Sequence, residues 1–391
     1  MFKEKNILYI VHSYHSFQKD SIEALAKEFK NVYVIVRYKP IAEISKYLPI
    51  KSLSIHTREH AIQEEGKPEN VHLYTAPLWY LPINFFYKFL GDYHFKVVDR
   101  IIKREKIKFD LIHAHFTWTS GYVGMRLKEK YNVPFVLNIH SSRTLEEELK
   151  FKNKRAISIW KSADAIIRVN KENIEELKQY NKETYYIPNG FNQNLFFPTS
   201  KMEARKSLNL DLDKEILLSV GHLVEVKGHI YLVHAVNELI KKKGLTNLSL
   251  YIVGEGEYRK SLEKKIKDFG LEEYIYLVGK KFHQDLPAWF NACDIFVLPS
   301  LSESFGIVQL EALACGKPVV ATLNSGSKQL ITSDRLGLLC RVGDPLDLSK
   351  KLHLALSKRW SDAEIIKYSQ RYTWSNIVKE FLSIYRKILE K

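Results

Sequence analysis

Short apolar runs rich in β-branched residues alternate along this chain with longer segments whose apolar residues recur at helical spacing. Such alternation is typical of parallel strands joined by helices that cover the sheet. In the first half the apolar runs predict these strands: Asn6–Val11, Val32–Arg37, Asp110–Ala114, Pro134–Ile139, Ala165–Val169 and Thr184–Ile187. The segments between them predict these helices: Asp20–Lys30, Tyr93–Lys106 and Lys171–Tyr180.

The second half restarts the pattern after a polar connection. Its apolar runs predict these strands: Ile216–Val220, Leu248–Val253, Tyr274–Val278, Ile295–Leu298, Val319–Ala321 and Gly337–Cys340. Its periodic segments predict these helices: Gly228–Lys242, Glu257–Phe269 and Trp374–Leu389. The predicted fold class is therefore α/β, with two Rossmann-like, doubly wound domains facing across a cleft. Ligands of such sheets bind at the carboxyl ends of the strands, so the site is expected in that cleft.

The boundary between the halves is predicted at the turn residues Pro188, Asn189 and Gly190, which follow a strand. A chain of 391 residues is too long for one hydrophobic core, which also indicates two domains. The sequence thus predicts a first domain at 1–190, a second at 191–373 and a terminal helix at 374–391.

The charge balance bears on the partners of this protein. Lysine and arginine number 60 against 45 acids, which gives a formal net charge of +15. A basic protein meets nucleic acid, an anionic membrane surface or phosphorylated substrates. The sequence has no zinc-finger, RRM or helix-turn-helix pattern, so no nucleic-acid partner is predicted.

Apolar runs and cysteines bear on its location. No run of 18 apolar residues predicts a transmembrane helix, and the first apolar run is too short for a signal peptide. Cys293, Cys315 and Cys340 have no metal-ligand spacing. We expect a cytoplasmic protein with buried, inert thiols, and the positive charge leaves open a peripheral position at the inner face of a membrane.

The most informative segment is 303–311, whose two carboxylates, Glu303 and Glu311, flank the turn Ser304–Gly306. A predicted strand precedes this segment and a helix begins within it. Free backbone N–H groups at such a helix start bind anions. Glu311 lies among apolar residues, and a buried carboxylate needs donors such as the paired hydroxyls of a ribose. The alternatives are a solvated helix carboxylate at Glu311 and an ordinary loop acid at Glu303.

A second loop, Val220–His229, joins the first strand of the second half to its helix, and Lys227 lies at the helix start. A cation there opposes the helix dipole unless it reaches forward to a phosphate. Taken alone, Lys227 is equally well a surface lysine. Together with the Glu303 segment it favours phosphate binding.

Two further loops carry weaker signals. Gly254-Glu255-Gly256 is interpreted as a tight strand-to-helix turn that lines a nucleotide site without holding phosphate, because its acids would repel one. Asp211 and Asp213 resemble the D-x-D pair with which some enzymes bind a metal ion. They lie in a polar connection before a domain's first strand, which favours a structural role, and no metal site is predicted.

In the first half, His115 and His140 follow buried runs and are expected at the carboxyl ends of two strands. No third metal ligand accompanies them at a suitable spacing. His140 is favoured for a site role, His115 is as well explained by packing, and His113 is expected to pack inside. Arg143 either binds an anionic acceptor or is a surface arginine.

An aromatic stretch, Trp79–Leu90, has basic surroundings. Insertion into a membrane interface and ordinary core packing explain it equally well.

These motifs, in this order from about Asp110 to the end of the chain, resemble the GT-B glycosyltransferases, most of all family 4 of the retaining, nucleotide-sugar-dependent enzymes. The matching segments are Ile187–Gly190, Val220–Gly228, Gly254–Ser300 and Glu303–Val320. The resemblance implies transfer of a sugar from a nucleotide-diphosphate sugar to a glycan or lipid-linked acceptor, in the synthesis of cell-surface polysaccharide or glycolipid. It implies no metal and no cofactor apart from the nucleotide sugar as co-substrate.

The resemblance also implies a donor site in the second domain, where Glu311 binds the ribose hydroxyls and Glu303 approaches the donor sugar. Lys227, together with His222, would neutralise the leaving diphosphate. The segment after Glu303 would meet the donor sugar and diphosphate through Ser304, Phe305, Gly306 and Ile307.

Across the cleft, the resemblance places His140 near the sugar and the acceptor, so that Glu303, Lys227 and His140 form the catalytic set. His115 and Arg143 would lie on the acceptor side, and the terminal helix would cross back onto the first domain. Retention in this family is ascribed to attack from the face of departure, with the diphosphate accepting the proton. Glu303 would then position the donor and stabilise charge.

Two positions depart from the family pattern. An arginine usually stands where this chain has His222, and a neutral histidine lacks the guanidinium fork. Diphosphate binding is then weaker, or another basic residue substitutes, or His222 is protonated when donor is bound. The loop Val11–Phe17 lacks the usual glycine pair, so no site residue is assigned there.

Two other functions remain as alternatives at this point. One is a nucleotide-sugar epimerase of the same fold, and the other is a non-catalytic basic protein that binds a membrane or nucleic acid. The Lys227 loop and the carboxylate spacing favour the transferase.

Overall fold

The computed structural model describes residues 2–46, 57–79 and 89–390. The chain divides into two compact units, which we call unit 1 and unit 2. Unit 1 comprises Met1–Asn189 and Trp374–Lys391, and unit 2 comprises Gly190–Thr373.

Unit 1 contains a parallel sheet of seven strands in the order β3-β2-β1-β4-β5-β6-β7. Its strands are β1 (Asn6–Val11), β2 (Asn31–Tyr38), β3 (Val71–Pro77), β4 (Leu111–His115), β5 (Phe135–Ile139), β6 (Ala165–Arg168) and β7 (Thr184–Tyr186). β1 lies between β2 and β4, so that Ile7 is in register with Val32 on one side and with Leu111 on the other. Helices cover both faces of such a sheet, which explains why Ile7–Val11 is buried without alternation.

The helices of unit 1 are α1 (Ser16–Ala26), α2 (Arg58–Ala61), α3 (Leu90–Arg104), α4 (Tyr122–Tyr131), α5 (Ser142–Lys150), α6 (Lys154–Ser162) and α7 (Ile174–Lys178), with the terminal helix numbered below. A short π-helical turn, Thr117–Gly121, follows β4. The predicted helix Lys171–Tyr180 is shorter in the structure because Asn173, at φ 63°, is left-handed and α7 begins only after it.

Unit 2 repeats the arrangement with six parallel strands in the order β10-β9-β8-β11-β12-β13. These are β8 (Glu215–Val220), β9 (Leu248–Val253), β10 (Ile275–Gly279), β11 (Ile295–Leu298), β12 (Val319–Thr322) and β13 (Gly337–Cys340). Its helices are α8 (Lys201–Ser207), α9 (His229–Asn237), α10 (Arg259–Asp268), α11 (Leu286–Ala292), α12 (Ile307–Ala314), α13 (Ser325–Leu330), α14 (Pro345–Ser357) and α15 (Asp362–Ser369). The predicted fold class, two doubly wound α/β domains, is confirmed.

The terminal helix α16 (Trp374–Leu389) belongs to unit 1 although it follows unit 2 in the chain. Its apolar face, which includes Ile377 and Phe381, packs into the core that also holds β1. Tyr385 is fully buried, and its hydroxyl lies 2.7 Å from Nδ1 of His113. His113 therefore packs inside, as the sequence predicted.

The three cysteines are buried and form no disulfide, as expected from the sequence. Among the described residues, no helix is both long enough and apolar enough to cross a bilayer. The segment 80–88 of the aromatic stretch lies outside the described residues, while Trp79 and Phe89 at its borders are exposed.

Candidate functional site

The site in unit 2 is built by loops that leave neighbouring strands of the sheet. The loop after β8 and the loop after β9 meet so closely that a Cβ on Gly254 would lie 1.9 Å from the Gly221 carbonyl oxygen. The loop after β8 also meets the loop after β11, where the Leu301 N–H donates to the Val226 carbonyl at 2.8 Å. Only glycine allows such close backbone approach, and the contacts bring together side chains that are far apart in the sequence.

Lys227 and Glu303, both predicted site residues, are in direct contact. Lys227 Nζ lies 2.5 Å from Glu303 Oε1, and the Ser300 hydroxyl donates to the same oxygen at 2.8 Å. The Lys227 side chain is 25% exposed and the Glu303 side chain 10%, so the pair is only partly open to solvent. Such a pair is more strongly coupled than one at the surface.

The main chain of Glu303 is hydrogen-bonded to the start of α13. Its carbonyl accepts from the Gly326 N–H and from the Ser325 hydroxyl, each at 3.0 Å. A Cβ on Gly326 would come within 2.9 Å of both that carbonyl oxygen and the Phe305 nitrogen. The sequence shows Asn324–Ser327 only as a loop with fewer glycines than the family pattern and assigns Ser325 and Gly326 no site role, since their contact with residue 303 depends on packing between strands β11 and β12.

The turn after Glu303 ends at Gly306, whose left-handed backbone (φ 75°, ψ 60°) begins α12. The first N–H groups of a helix have no partner within it, so those of Gly306, Ile307 and Val308 face the N-terminal end. Phe305 is buried, at only 2% exposed, and its ring lies 6.3 Å from that of Tyr372. The half-buried Ser304 is held through its carbonyl, which accepts from Gln329 Nε2 at 3.4 Å.

Glu311 lies on α12 with its side chain only 4% exposed. One carboxylate oxygen, Oε1, is 2.7 Å from Nε2 of His283, whose ring packs against Phe196 at 5.0 Å. The other oxygen, Oε2, is buried and has no hydrogen-bond partner among the described residues. A buried acceptor of this kind ordinarily has a donor, and the described residues supply none to Oε2.

His283 is a functional residue that the sequence analysis missed. It lies in the 3₁₀ turn His283–Asp285, 28 positions before Glu311, and no motif spacing connects the two.

His222, the residue that stands in place of the family's arginine, is exposed on the loop after β8. Its pKa is lowered below the usual 6.5, first by partial desolvation of the ring and then by the charges of Lys227 and Lys280. In the ligand-free protein the ring is therefore neutral at pH 7. Lys280 directly follows β10, whose last residue Gly279 accepts from the Gly254 N–H at 3.0 Å.

The acids of the two weaker motifs, Glu255 and Asp211, contact residues close to them in the sequence. Glu255 Oε1 lies 2.6 Å from Nη1 of Arg259, so that acid is paired with a neighbouring cation. Asp211 accepts from the Asp213 N–H at 2.9 Å, which is a turn contact at an exposed position.

In unit 1, His115 ends β4 and His140 directly follows β5, and their ring centres are 4.8 Å apart. Burial lowers the pKa of His115 to about 3 and holds that of His140 well below its usual range, so both rings are neutral at pH 7. Neither ring nitrogen of His140 has a hydrogen-bond partner in the described part of the chain. Arg143 is exposed on α5 and lies 3.4 Å from Glu147.

A buried arginine on β6 supports the turn that carries His140. Arg168 donates from Nη1 to the Ile139 carbonyl at 3.1 Å and from Nη2 to the Ser142 hydroxyl at 2.7 Å. These residues flank His140, so Arg168 fixes the main chain on both sides of it. Its burial lowers its pKa to about 10, which still leaves it charged at pH 7.

Two Rossmann-like units, one of which has a lysine–carboxylate pair and a helix start at its strand ends, define this protein as a glycosyltransferase of the GT-B fold. Residues 200–372 match the family model described as Glycosyl transferases group 1, and residues 42–195 match the model described as Glycosyltransferase Family 4. The chain belongs to the group 1 glycosyltransferases of the family 4 type, and it is a transferase.

Relatives and solved structures agree with this assignment. The D-inositol 3-phosphate glycosyltransferase of Pseudarthrobacter chlorophenolicus is 29% identical over 79% of this chain and 77% of its own length. The sucrose-phosphate synthase from Thermosynechococcus elongatus has a TM-score of 0.78 at 22% identity, covering 99% of this chain and 100% of its own. Anabaena HepE, solved in complex with UDP-glucose, has a TM-score of 0.73 at 20% identity over 98% of this chain and 100% of its own. At these identities the structural likeness shows the fold.

Proposed function

We propose that this enzyme transfers a sugar from a nucleotide-diphosphate sugar to a hydroxyl of a glycan or lipid-linked acceptor, with retention of the anomeric configuration. The observation that carries the proposal is the contact among Lys227, Glu303 and Ser300 next to the start of α12. Lys227 comes from the loop after β8, and Ser300 and Glu303 come from the loop after β11, both in the unit that matches the group 1 model.

The leaving diphosphate gathers negative charge as the bond to the sugar breaks. Fixed cations and amides at that position stabilise the transition state more than the ground state. Lys227 supplies the cation, and the N–H groups at the start of α12 supply the amides. Glu303 Oε1 accepts from both Lys227 and Ser300, so Glu303 holds the lysine in place. Its negative charge also stabilises positive charge on the sugar. The proposal invokes no metal ion.

The nucleotide is proposed to lie with its ribose on Glu311. The buried, unpartnered Oε2 accepts a ribose hydroxyl, while His283 occupies Oε1. HepE, which shares the fold, was solved with UDP-glucose, and this makes a uridine donor the first to test.

The acceptor is proposed to bind unit 1 near His140 and His115, with Arg143 available for an anionic group. A role in cell-surface polysaccharide or glycolipid synthesis is part of the proposal. The relative that is a D-inositol 3-phosphate glycosyltransferase adds D-inositol 3-phosphate to the acceptors that should be tried.

The proposal is tested by nucleotide release from UDP-, GDP- and ADP-sugars, with and without acceptors. Lys227→Ala should lower kcat by roughly 10²–10³, as does the loss of one donor to a developing anion in other enzymes, and Glu303→Ala should also lower it strongly. The matched control is Lys264→Ala, an exposed lysine of α10. Unchanged turnover in both site variants would refute the proposed mechanism, and an inverted product anomer would refute retention.

The same assay separates the alternatives. The family assignment favours the transferase over an epimerase, and epimerised nucleotide sugar formed without an acceptor would reverse that preference. The proposed peripheral position at the inner face of a membrane is supported by the net charge of +15. Absence of binding to anionic vesicles at low salt would count against it.

A further inference from the structure

Unit 1 contains a cavity of about 360 Å³ to which neither the sequence motifs nor the proposed donor chemistry assigns a role. It lies between α5, α6 and the π-helical turn after β4. The residues that line it are Thr117, Trp118, Thr144, Glu147, Glu148, Phe151, Asn153, Arg155, Ala156 and Ile159.

The polar centre of this cavity is Glu148, which is only 8% exposed. Its Oε2 is buried without a hydrogen-bond partner among the described residues. Burial raises the pKa of this carboxyl to about 7, and a hydrogen bond with the Thr117 hydroxyl opposes that shift. Thr117 is itself held by Trp160, whose Nε1 donates to Oγ1 at 3.3 Å. The carboxyl is thus close to the Thr117 hydroxyl, and in the described part of the chain its Oε2 lacks a donor.

The walls of the cavity are largely apolar. Ala156 and Ile159 are buried behind it, and Phe151 is 73% exposed beside it. The Arg155 guanidinium lies 5.2 Å from the centre of the Trp118 ring. Apolar walls with a few fixed polar groups are the usual lining of a small-molecule site.

This combination favours a neutral, hydroxyl-rich ring. A sugar ring presents C–H groups to apolar walls and hydroxyl donors to a buried acceptor. Glu147 and Glu148 disfavour a polyanion, and Arg155 disfavours a cation. The volume accommodates one ring.

We propose that this cavity binds one sugar ring, with a ring hydroxyl donating to Glu148 Oε2, and that the ring belongs to the acceptor. The second part of this statement rests on the proposed function. It is supported by chain position: Thr117 follows His115 by two residues, and Thr144 follows His140 by four, so the loops of the candidate acceptor side continue into the cavity.

The test is saturation-transfer NMR with the methyl glycosides of glucose, galactose, mannose and N-acetylglucosamine, in the absence of nucleotide. At least one glycoside should bind the wild-type protein. Glu148→Ala should weaken that binding about tenfold or more, because it removes a hydrogen bond to a buried, chargeable group. Thr144→Trp changes an exposed position and narrows the cavity, so this variant should lose glycoside binding altogether.

Glu146→Gln serves as the control, since Glu146 is exposed on the same helix and does not line the cavity. It should bind as the wild type does. No binding of any glycoside, or binding that survives both Glu148→Ala and Thr144→Trp in folded protein, would overturn the proposal.

A further arm separates this proposal from the proposed function. The Lys227→Ala variant should bind the glycoside as the wild type does, although its turnover is strongly lowered. Binding without turnover in the wild-type protein would refute the acceptor assignment and leave the sugar site standing. Turnover without glycoside binding would refute the sugar site and leave the proposed function standing.

Discussion

At the scale of single residues, the proposed donor site rests on carboxylates whose two oxygens have different surroundings. Glu311 uses one oxygen for His283 and has the other available. His283 therefore acts as a positioning residue, since it fixes the rotation of a carboxylate that the proposed function places on the ribose.

We expect His283→Ala to weaken binding of the donor nucleoside diphosphate by about tenfold, because Glu311 is no longer held in one orientation. Calorimetric titration with UDP, GDP and ADP and with their 2′-deoxy forms measures this. The preference for ribose over deoxyribose should shrink in His283→Ala and vanish in Glu311→Ala. His353→Ala, at an exposed histidine of α14, is the control and should change nothing. An undiminished ribose preference in Glu311→Ala would contradict the ribose assignment.

A second prediction at this scale concerns the missing arginine. His222 is neutral at pH 7, and the charge of Lys280 contributes to lowering its pKa, so we expect Lys280 to supply the second cation at the diphosphate. We expect Lys280→Ala to raise the KM for the donor by roughly tenfold at moderate salt, a charge-assisted contact being worth about 1.5–3 kcal/mol. The exposed neighbour Lys281 is the control, and Lys281→Ala should keep the KM for the donor within about twofold of the wild-type value. Equal effects of the two changes would point to general surface charge.

At the scale of elements, two loops of unit 2 approach each other so closely that one position has room only for glycine. A Cβ on Gly228 would lie 2.1 Å from the Pro299 carbonyl oxygen, between the Lys227 loop and the Glu303 loop. Gly270 has a similar left-handed backbone, φ 60° against 65°, but no atom lies within 4 Å of its Cβ position.

These two glycines form a matched pair for substitution. Gly270→Ala should cost about 1–2 kcal/mol of unfolding free energy, the penalty of a left-handed alanine, and should leave turnover intact. Gly228→Ala carries the same penalty and must also move the Pro299 backbone or the Lys227 turn. We expect it to lower kcat at least as strongly as Lys227→Ala does. Urea unfolding and nucleotide release measure the two effects, and equal activity of the two variants would contradict this view of the loops.

At the scale of the whole molecule, the two units should respond differently to acid. Unit 1 buries histidines with lowered pKa values, and burial brings those of His94 and His115 to about 3. Burial also holds those of His12, His113 and His140 far below 6.5. In unit 2 the pKa of His229 is lowered to about 4, again by burial, and those of His222 and His234 are lowered less.

Below pH 6.5 the unfolded chain binds protons that folded unit 1 excludes, so unit 1 loses stability as the pH falls. The loss is up to about 1.4 kcal/mol per pH unit for each such histidine. Glu148, with its raised pKa of about 7, acts in the opposite direction, as do Glu23 and Glu380, whose pKa values burial also raises, but these carboxyls are fewer than the histidines. Hydrogen exchange corrected for intrinsic rates, at about pH 7.5 and about pH 5.5, should show protection falling more in β4 and β5 than in β9 and β11. An equal fall in both units would contradict the prediction.

The architecture follows from the sequence because apolar periodicity is a local property. The bounds of Asn6–Val11, Leu248–Val253, Ile295–Leu298, Gly337–Cys340 and Trp374–Leu389 are the same in prediction and structure. β3 was missed because its burial pattern shows little alternation and it ends in Pro77, as an edge strand tolerates. Helices α5 and α6 were missed too. Their amphipathic pattern lies in a segment interrupted by Phe151 and the left-handed Lys152.

By itself, the sequence determined the two-domain α/β class, the resemblance to family 4 and the segments that carry Lys227, Glu303 and Glu311, since each of these can be recognised from patterns of neighbouring residues. The tertiary structure decided which atoms of these residues have hydrogen-bond partners among the described residues and which do not. It paired Lys227 with Glu303 across 76 positions and Glu311 with His283 across 28. It also left Oε2 of Glu148 facing a cavity. Burial and the partner of each oxygen arise only when distant segments pack, and they decide where a ligand binds.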